Sequence, residues 1–396
     1  MVEYRPIPEE RLDEFEALWS YAYRQLDDHV APDDTDRRIE PARVGEQRGV
    51  FDGDELVAIC RHHFLRATVR DTTRPIGCLA SVATPPEHRR KGYVRTLIES
   101  FLDEYRDREV PLSALWAFDY PFYDRYGWEL ANQYAVRECP PEALSVTTEH
   151  TGGEFVRLYP DEYERLAGVL ADHGAPYALS IERTEEWWRE RTFRSRGADP
   201  HVYGWESDGE LRGYLVYTIE SDDALLDVSE IAFGDPTAYL QLLRFLAVHR
   251  SQVDRIRLRG PVDDPLVDLV DDPAAVETTV HPGASIRLVD VESVLEGIEY
   301  PEHAAGSLVL GVDDSIVDWN DEAFRLDVDG GSASVEVTTD APDATLGIGA
   351  LSQLVVGYRT AGGLADAGEL TVDDRETRTL LNTAFPPGEV FLREEF

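Results

Sequence analysis

The sequence predicts an α+β protein: two copies of a hairpin, strand, turn and helix unit, then a third domain of short strands and helices. Three observations carry that prediction. Between Cys78 and Tyr105 a strand runs through a basic, glycine-containing turn into an amphipathic helix. The hairpin before that unit, with its Asp-Gly turn, recurs around Ser207-Asp208-Gly209. From residue 285 onward the pattern changes to alternating strands followed by helical spacing.

In chain order, Leu12, Phe15, Leu18, Trp19 and Ala22 form the apolar face of a first helix. Val50 to Ile59 reads as two strands joined at Asp52-Gly53. Cys78 to Ala83 is a short buried strand that Pro85-Pro86 stops. Val94, Leu97, Ile98, Phe101, Leu102 and Tyr105 lie at helical spacing. A strand over Ser113 to Phe118 and another containing Tyr134, Val136 and Cys139 follow, so the first domain is expected to span residues 1–142.

The turn is Pro85-Pro86-Glu87-His88-Arg89-Arg90-Lys91-Gly92, and Lys91 is the only lysine in a chain of net charge -40. Three consecutive cations and a glycine at a helix N-terminus suit a polyphosphate. The first amides of a helix point outward unpaired, the helix dipole favours an anion, and glycine lets the backbone approach the ligand. An ordinary connection with a solvated basic tip is the alternative reading of the spacing.

Residues 143–284 repeat the unit. Val202 to Tyr217 is the second hairpin, Asp227 to Phe233 the second strand, and Tyr239, Leu242, Leu243 and Leu246 the second helix. Between strand and helix stands Gly234-Asp235-Pro236-Thr237, acidic and without the three cations. This copy is expected to keep the scaffold and not bind pyrophosphate, unless the second hairpin is coincidental. Residues 285–396 open with Ser285 to Val291 and continue with strands at 307–312, 323–328 and 334–337. A helix over Ile348, Leu351, Leu354, Val355 and Tyr358 and a short one near Leu380-Leu381 complete the chain.

Composition excludes other classes. With 396 residues and 42% apolar content the chain buries sizeable cores. No apolar run reaches a membrane-spanning length, and the N-terminus lacks a signal peptide's apolar core, so a cytoplasmic enzyme is expected. Cys60, Cys78 and Cys139 are too scattered for a disulfide framework, and the histidines lack metal-ligand spacing, so no metal is expected. Acidic residues are spread among apolar periodicity, and lysine is almost absent, a halophilic composition whose self-repulsion strong salt screens. The same charge argues against a nucleic-acid partner.

The turn resembles the acetyl-CoA pyrophosphate loop of GNAT N-acetyltransferases, Arg/Gln-x-x-Gly-x-Gly/Ala, with Arg89 and Gly92 matching. Val94 at the last small position is similar to the Eis branch of that superfamily, and Phe122-Tyr123-Asp124-Arg125-Tyr126-Gly127-Trp128 resembles its catalytic-tyrosine segment. The last domain resembles the sterol-carrier-protein-like domain that closes Eis chains. The resemblance implies tandem GNAT folds, with acetyl-CoA lined by Val82, Ala83, Thr84, Arg89, Arg90, Lys91, Gly92, Tyr93, Val94, Arg95, Phe118 and Asp119. Phe118 and Asp119 differ from the family's small or polar side chains there. A hexameric homo-oligomer is also implied.

The chemistry implied is acetyl transfer from a thioester to a primary amine of a small polyamine or aminoglycoside-like acceptor. Backbone amides around Val82 and Thr84 are candidates to polarise the thioester carbonyl. Tyr123 is the candidate general acid, because a phenol with a reference pKa of about 10 can protonate a departing thiolate of comparable basicity; Tyr126 is its competitor. For the base the resemblance points to the α-carboxylate of Phe396, with Glu394 and Glu395 as alternatives or as negative potential for a cationic substrate. No cysteine or Ser-His-Asp arrangement offers a nucleophile, so direct attack in a ternary complex is expected. A protein-lysine acetyltransferase and a non-catalytic acyl-CoA or lipid-binding protein are the alternative functions. Trp19, Trp116, Trp187 and Trp188 read either as acceptor lining or as core.

Overall fold

A computed structural model of the chain describes residues 2–23, 44–146, 152–195 and 198–396. The first stretch supplies β1 (Val2–Pro6), α1 (Leu12–Tyr23), β2 (Glu46–Asp52), β3 (Glu55–Val69), β4 (Thr72–Ala83), α2 (Tyr93–Asp107), β5 (Leu112–Leu115), α3 (Tyr120–Asp124), β6 (Glu129–Leu130) and β7 (Gln133–Cys139). The middle supplies β8 (Glu154–Arg157), α4 (Tyr163–Gly174), β9 (Tyr177–Ala178), β10 (Ile181–Glu182), β11 (His201–Ser207), β12 (Glu210–Glu220), β13 (Leu225–Phe233), α5 (Pro236–Ala247), β14 (Arg255–Gly260), β15 (Glu277–Pro282) and β16 (Ser285–Leu288). The last stretch supplies α6 (Val291–Gly297), β17 (Gly306–Asp313), β18 (Ala323–Asp329), β19 (Ser332–Thr338), β20 (Ala344–Gly347), α7 (Ile348–Val355), α8 (Ala361–Ala367), β21 (Leu370–Val372), α9 (Arg375–Ala384) and β22 (Glu389–Val390).

The first sheet runs β1-β2-β3-β4-β5-β16-β6, the second β15-β7-β14-β13-β12-β11-β8, and the third β19-β18-β17-β20-β21. Within the first, β3 and β4 pair antiparallel and β4 and β5 parallel; β12, β13 and β14 repeat that relationship in the second. The duplication expected from the two hairpins is therefore present at the level of strand pairing.

Two strands are exchanged relative to the sequence reading. β7, expected to close the first domain before Glu142, pairs with β14 and β15 in the second sheet. β16, expected to open the third domain at Ser285, pairs with β5 and β6 in the first. The expected boundaries at 142 and 285 each assign one strand to the wrong sheet. All four residues of β16 are buried, as a central strand covered on both faces requires, and a short apolar run carries no mark of which sheet receives it.

The helix after the basic turn behaves as its spacing predicts. Leu97, Ile98, Phe101, Leu102 and Tyr105 are all buried and pack with Val50, Val57, Cys60 and Leu79 of the first sheet. Burial of such side chains contributes about 1.5–3 kcal/mol each, which fixes α2 and the turn at its head. A second core is continuous from Ile76, Leu112 and Ile286 of the first sheet to Leu310, Phe324 and Leu354 of the third domain. Cys60, Cys78 and Cys139 are buried free thiols.

Candidate active site

The site grows from the place where β4 and β5 part. Their parallel register runs from Ile76 opposite Leu112 to Leu79 opposite Leu115 and then stops. On the other edge of β4, Ile59 faces Ala83 and Arg61 faces Ala80, so Ser81 and Val82 together oppose one residue of β3. That is a β-bulge, and Ser81 takes a left-handed φ of 57° to make it. The strand expected to reach Phe118 ends at Leu115 because its neighbour turns away. The Tyr23 hydroxyl donates to the Val82 carbonyl at 2.9 Å, and the Thr84 hydroxyl is buried without a hydrogen-bond partner.

Beyond the bulge, the chain enters α2 at Gly92, whose φ of 90° suits glycine and whose side no atom approaches within 4 Å. No side chain caps this helix. Arg90, also left-handed at φ 62°, is exposed and has no partner among the described residues. Arg89 donates from Nε to the Thr84 carbonyl at 3.2 Å, and Lys91 Nζ stands 3.4 Å from His88 Nδ1. Tyr93 bonds Asp52 at 3.0 Å, and Arg95 turns along the helix to Glu99 at 2.7 Å. The second copy is closed at the same point. Asp235 accepts from the Ala238 amide at 3.0 Å and from Arg212 at 2.7 Å, so the head of α5 already holds a carboxylate. One helix N-terminus thus has open amides beside the unpartnered Arg90 and the ion-pair-free Lys91, among the described residues; its counterpart does not.

Tyr123, in α3, is buried, with its ring edge-on to Phe122 at 5.0 Å and to Phe118 at 5.6 Å. Burial pushes its phenol above the ordinary value, with Tyr23, Cys60 and Tyr126 nearby reinforcing the shift. Its hydroxyl makes no hydrogen bond among the described residues. Phe118, by contrast, is 65% exposed. The Tyr126-Gly127 part of the segment has a structural reading. Gly127 has φ 86°, and any Cβ there would collide with the guanidinium of Arg287, which donates to the Tyr126 carbonyl at 2.8 Å and pairs with buried Asp314 of the third domain.

The C-terminal residues reach the same region from the other face of the sheet. Along β3, Cys60 and His62 share one face and bond each other at 3.2 Å, while Arg61 and His63 point the opposite way. β22 pairs with β9, Leu392 exchanges two hydrogen bonds with Asn132, the Glu394 carbonyl accepts from Trp116 at 2.7 Å and the Glu395 carbonyl from Arg191 at 2.7 Å. Phe396 then sets its ring 6.2 Å from His63 and 6.3 Å from Trp187. It lines a cleft of about 310 Å³ with Trp19, Arg61, Ser81, Arg191, Arg194 and Ser195.

The two carboxylates offered as alternative bases are both ion-paired. Glu394 is buried and bound by Arg183 at 2.7 Å, which also holds Glu230 at 2.6 Å; Glu395 is paired with Arg259. Neither lines the cleft that Phe396 enters. The tryptophans divide: Trp19 lines the cleft and Trp187 backs Phe396, Trp116 anchors the tail, and Trp188 is core beneath Arg183. Sequence reasoning missed Tyr23, Arg61, His63 and Arg191, which stand on separate elements with no shared motif.

Among the described residues no cluster of His, Cys, Asp and Glu is placed to hold a metal, and no helix is long and apolar enough to cross a membrane.

A duplicated sheet with a splayed parallel pair, an uncapped helix at the first splay and a capped one at the second defines a tandem acyltransferase. Comparison with known families agrees. Residues 3–131 match an acetyltransferase (GNAT) domain, residues 179–288 a second acetyltransferase (GNAT) domain, and residues 291–393 a sterol carrier protein domain. The chain is 26% identical over 402 residues to N-acetyltransferase Eis of Mycobacterium tuberculosis, covering 94% of each. It is 29% identical over 366 residues to an uncharacterized N-acetyltransferase of Streptomyces avermitilis, covering 84% of this chain and 83% of the relative. Its fold is shared by a probable N-acyltransferase from Enterococcus faecalis, with TM-score 0.91 and 21% identity over the full length of both chains. The fold also matches Eis1 from Mycobacterium abscessus, with TM-score 0.79, 22% identity and the same full coverage. The chain belongs to the GNAT acetyltransferases and is Eis-like, with two such domains followed by a sterol carrier protein domain.

Proposed function

We propose that this enzyme transfers an acetyl group from acetyl-CoA to the primary amine of a small acceptor, by direct attack in a ternary complex formed in the first copy alone. The observation that carries this reading is the contrast between the two helix heads. Gly92 leaves the amides of α2 open beside Arg90 and Lys91, whereas Asp235 fills the same place at α5. The bulge at Ser81-Val82 and the unpartnered Thr84 hydroxyl fit a thioester arm lying between the parted strands.

In the reaction the neutral amine nitrogen attacks the thioester carbonyl carbon, forming the C–N bond, and the C–S bond breaks with its electron pair leaving on sulfur. Tyr123, from the α2 side, gives its proton to that thiolate, and its raised pKa keeps it protonated until the charge develops. The proton lost by the amine goes to a base on the opposite face, for which the carboxylate of Phe396 is positioned by the bonds to its two predecessors. Amides at the bulge polarise the carbonyl. The products are an N-acetyl amide and free coenzyme A thiol.

The cleft beside Phe396 is at the low end of the ~300–1,000 Å³ common for small-molecule sites, which favours a small amine over a lysine presented on a protein. Equilibrium titration of acetyl-CoA, with thiol release on adding primary amines, tests the reading. Micromolar binding abolished by Arg90→Glu with Lys91→Glu is expected. Binding that is absent, or insensitive to that pair, would favour a non-catalytic scaffold.

A further inference from the structure

We infer that the acceptor carries an anionic oxygen group, a carboxylate or a phosphate, held between Arg61 and Arg191, in place of the polycation the family resemblance implies. The inference rests on the acetyltransferase reading and narrows its substrate. Arg61 is 3% exposed, its Nε atom has no hydrogen-bond partner, and its one carboxylate neighbour, Glu16, stands 3.3 Å from a terminal nitrogen. Arg191 meets no carboxylate within 4 Å among the described residues; it bonds a backbone carbonyl at Glu395 and stacks on Trp187 at 4.4 Å. Both line the cleft that Phe396 enters.

The electrostatics of the pocket follow from that arrangement. Burial, and then the like charge of Arg61, lower the Arg191 pKa to about 10, and burial with both guanidinia holds neighbouring His63 well below its ordinary value. Both ring nitrogens of His63 are buried without partners. Two cations facing one cleft repel unless an anion lies between them, and guanidinium donors match the oxygens of carboxylate and phosphate groups. Among the described residues the carboxylates paired with arginines of the cleft are Glu16 on Arg61 and Glu190 on Arg194 at 2.9 Å, beside the α-carboxylate of Phe396 proposed as base. A polyamine entering here would bring more positive charge beside these two guanidinia. An amine with an anionic group would find a partner for that group, while the guanidinia would lower the pKa of its amino group and favour the neutral, attacking form.

Matched acceptor pairs test this on the intact enzyme with saturating acetyl-CoA, reading free thiol: lysine against cadaverine for a carboxylate, phosphoethanolamine against ethanolamine for a phosphate, and spermidine as the polycation. The expected result is a kcat/KM at least tenfold higher for the acidic member of one pair, and that pair identifies the group. Arg61→Gln and Arg191→Gln should erase the preference through KM. Because each ratio is taken within one variant, a loosened tail or a partly folded sample affects both members alike. Equal or faster turnover of cadaverine, ethanolamine and spermidine overturns the inference and leaves acetyl transfer standing. Thiol release that no amine stimulates overturns both.

Discussion

The indole of Trp116 donates a 2.7 Å hydrogen bond to the backbone carbonyl of Glu394, so the first residue past the end of β5 holds the chain two residues before Phe396. The point where the strands part and the point where the tail arrives are thus one structural unit. The proposed acid and base approach it from opposite faces of the sheet.

That geometry predicts opposite chemical changes with one outcome at Phe396. Deleting it leaves Glu395 as the terminus, displaced by up to about 3.3–3.6 Å; appending a short tag turns the carboxylate into an amide. Both should depress turnover while acetyl-CoA affinity persists, as measured by steady-state kinetics beside direct titration. Full activity in a tagged protein would place the base elsewhere.

For the acid, Tyr123→Phe should lower kcat by roughly 10²–10⁴ without loss of fold or coenzyme affinity. Tyr126→Phe should do less, because Arg287 contacts the backbone carbonyl of Tyr126 and not its ring. Reversal of the two effects would move the acid to Tyr126.

At the helix heads, Arg90→Glu combined with Lys91→Glu should raise the KM for acetyl-CoA more than tenfold, since charge-assisted bonds contribute about 1.5–3 kcal/mol each. Asp235→Ala should leave that KM alone and cost about 1 kcal/mol of stability through the lost cap. A coenzyme effect from Asp235 would mean that the second copy binds after all.

Arg183 gives a prediction about stability. Burial alone would raise the carboxyl of Glu230, but Arg183 and Arg393 more than offset it and hold it below its ordinary value. Replacing Arg183 with Met strands two buried carboxylates and should cost about 3–5 kcal/mol in denaturant unfolding. Adding Glu394→Gln should recover part of that loss, and a fully additive double variant would show that the two groups do not interact.

The pH dependence should be carried partly by His62. Burial pushes its pKa down to about 3, and it bonds Tyr105 at 2.6 Å and Tyr4 at 3.1 Å. A depressed folded pKa means that the unfolded chain binds the extra proton. Stability should therefore be flat above about pH 6.5 and fall between there and about pH 3, at up to about 1.4 kcal/mol per unit for each such histidine. His62→Gln should flatten that limb in unfolding midpoints taken from pH 7 to pH 4.

The sequence made some of this legible and hid the rest for a physical reason. Gly92, the three cations before it and the apolar stripe of α2 are neighbours in the chain, so their meaning is local. Tyr123 is a candidate through a contiguous aromatic segment. Arg61, Arg191 and Phe396 converge only through tertiary packing, and the destinations of β7 and β16 depend on which sheet edge is open when they arrive. The splay itself showed only as a strand that stopped at Leu115, three residues short of its expected end at Phe118.

The exchanged strands have a consequence for synthesis. β5 must wait for β16 before its outer edge is covered, since Ser113 pairs with Arg287. At 5–20 residues per second, the interval during translation is on the order of ten seconds. For that time the nascent first sheet presents a bare, apolar edge while the whole second copy is being made, and a ribosome stalled in that copy holds an unfinished first sheet. Release of the first domain as a separate fragment would leave the same edge open permanently.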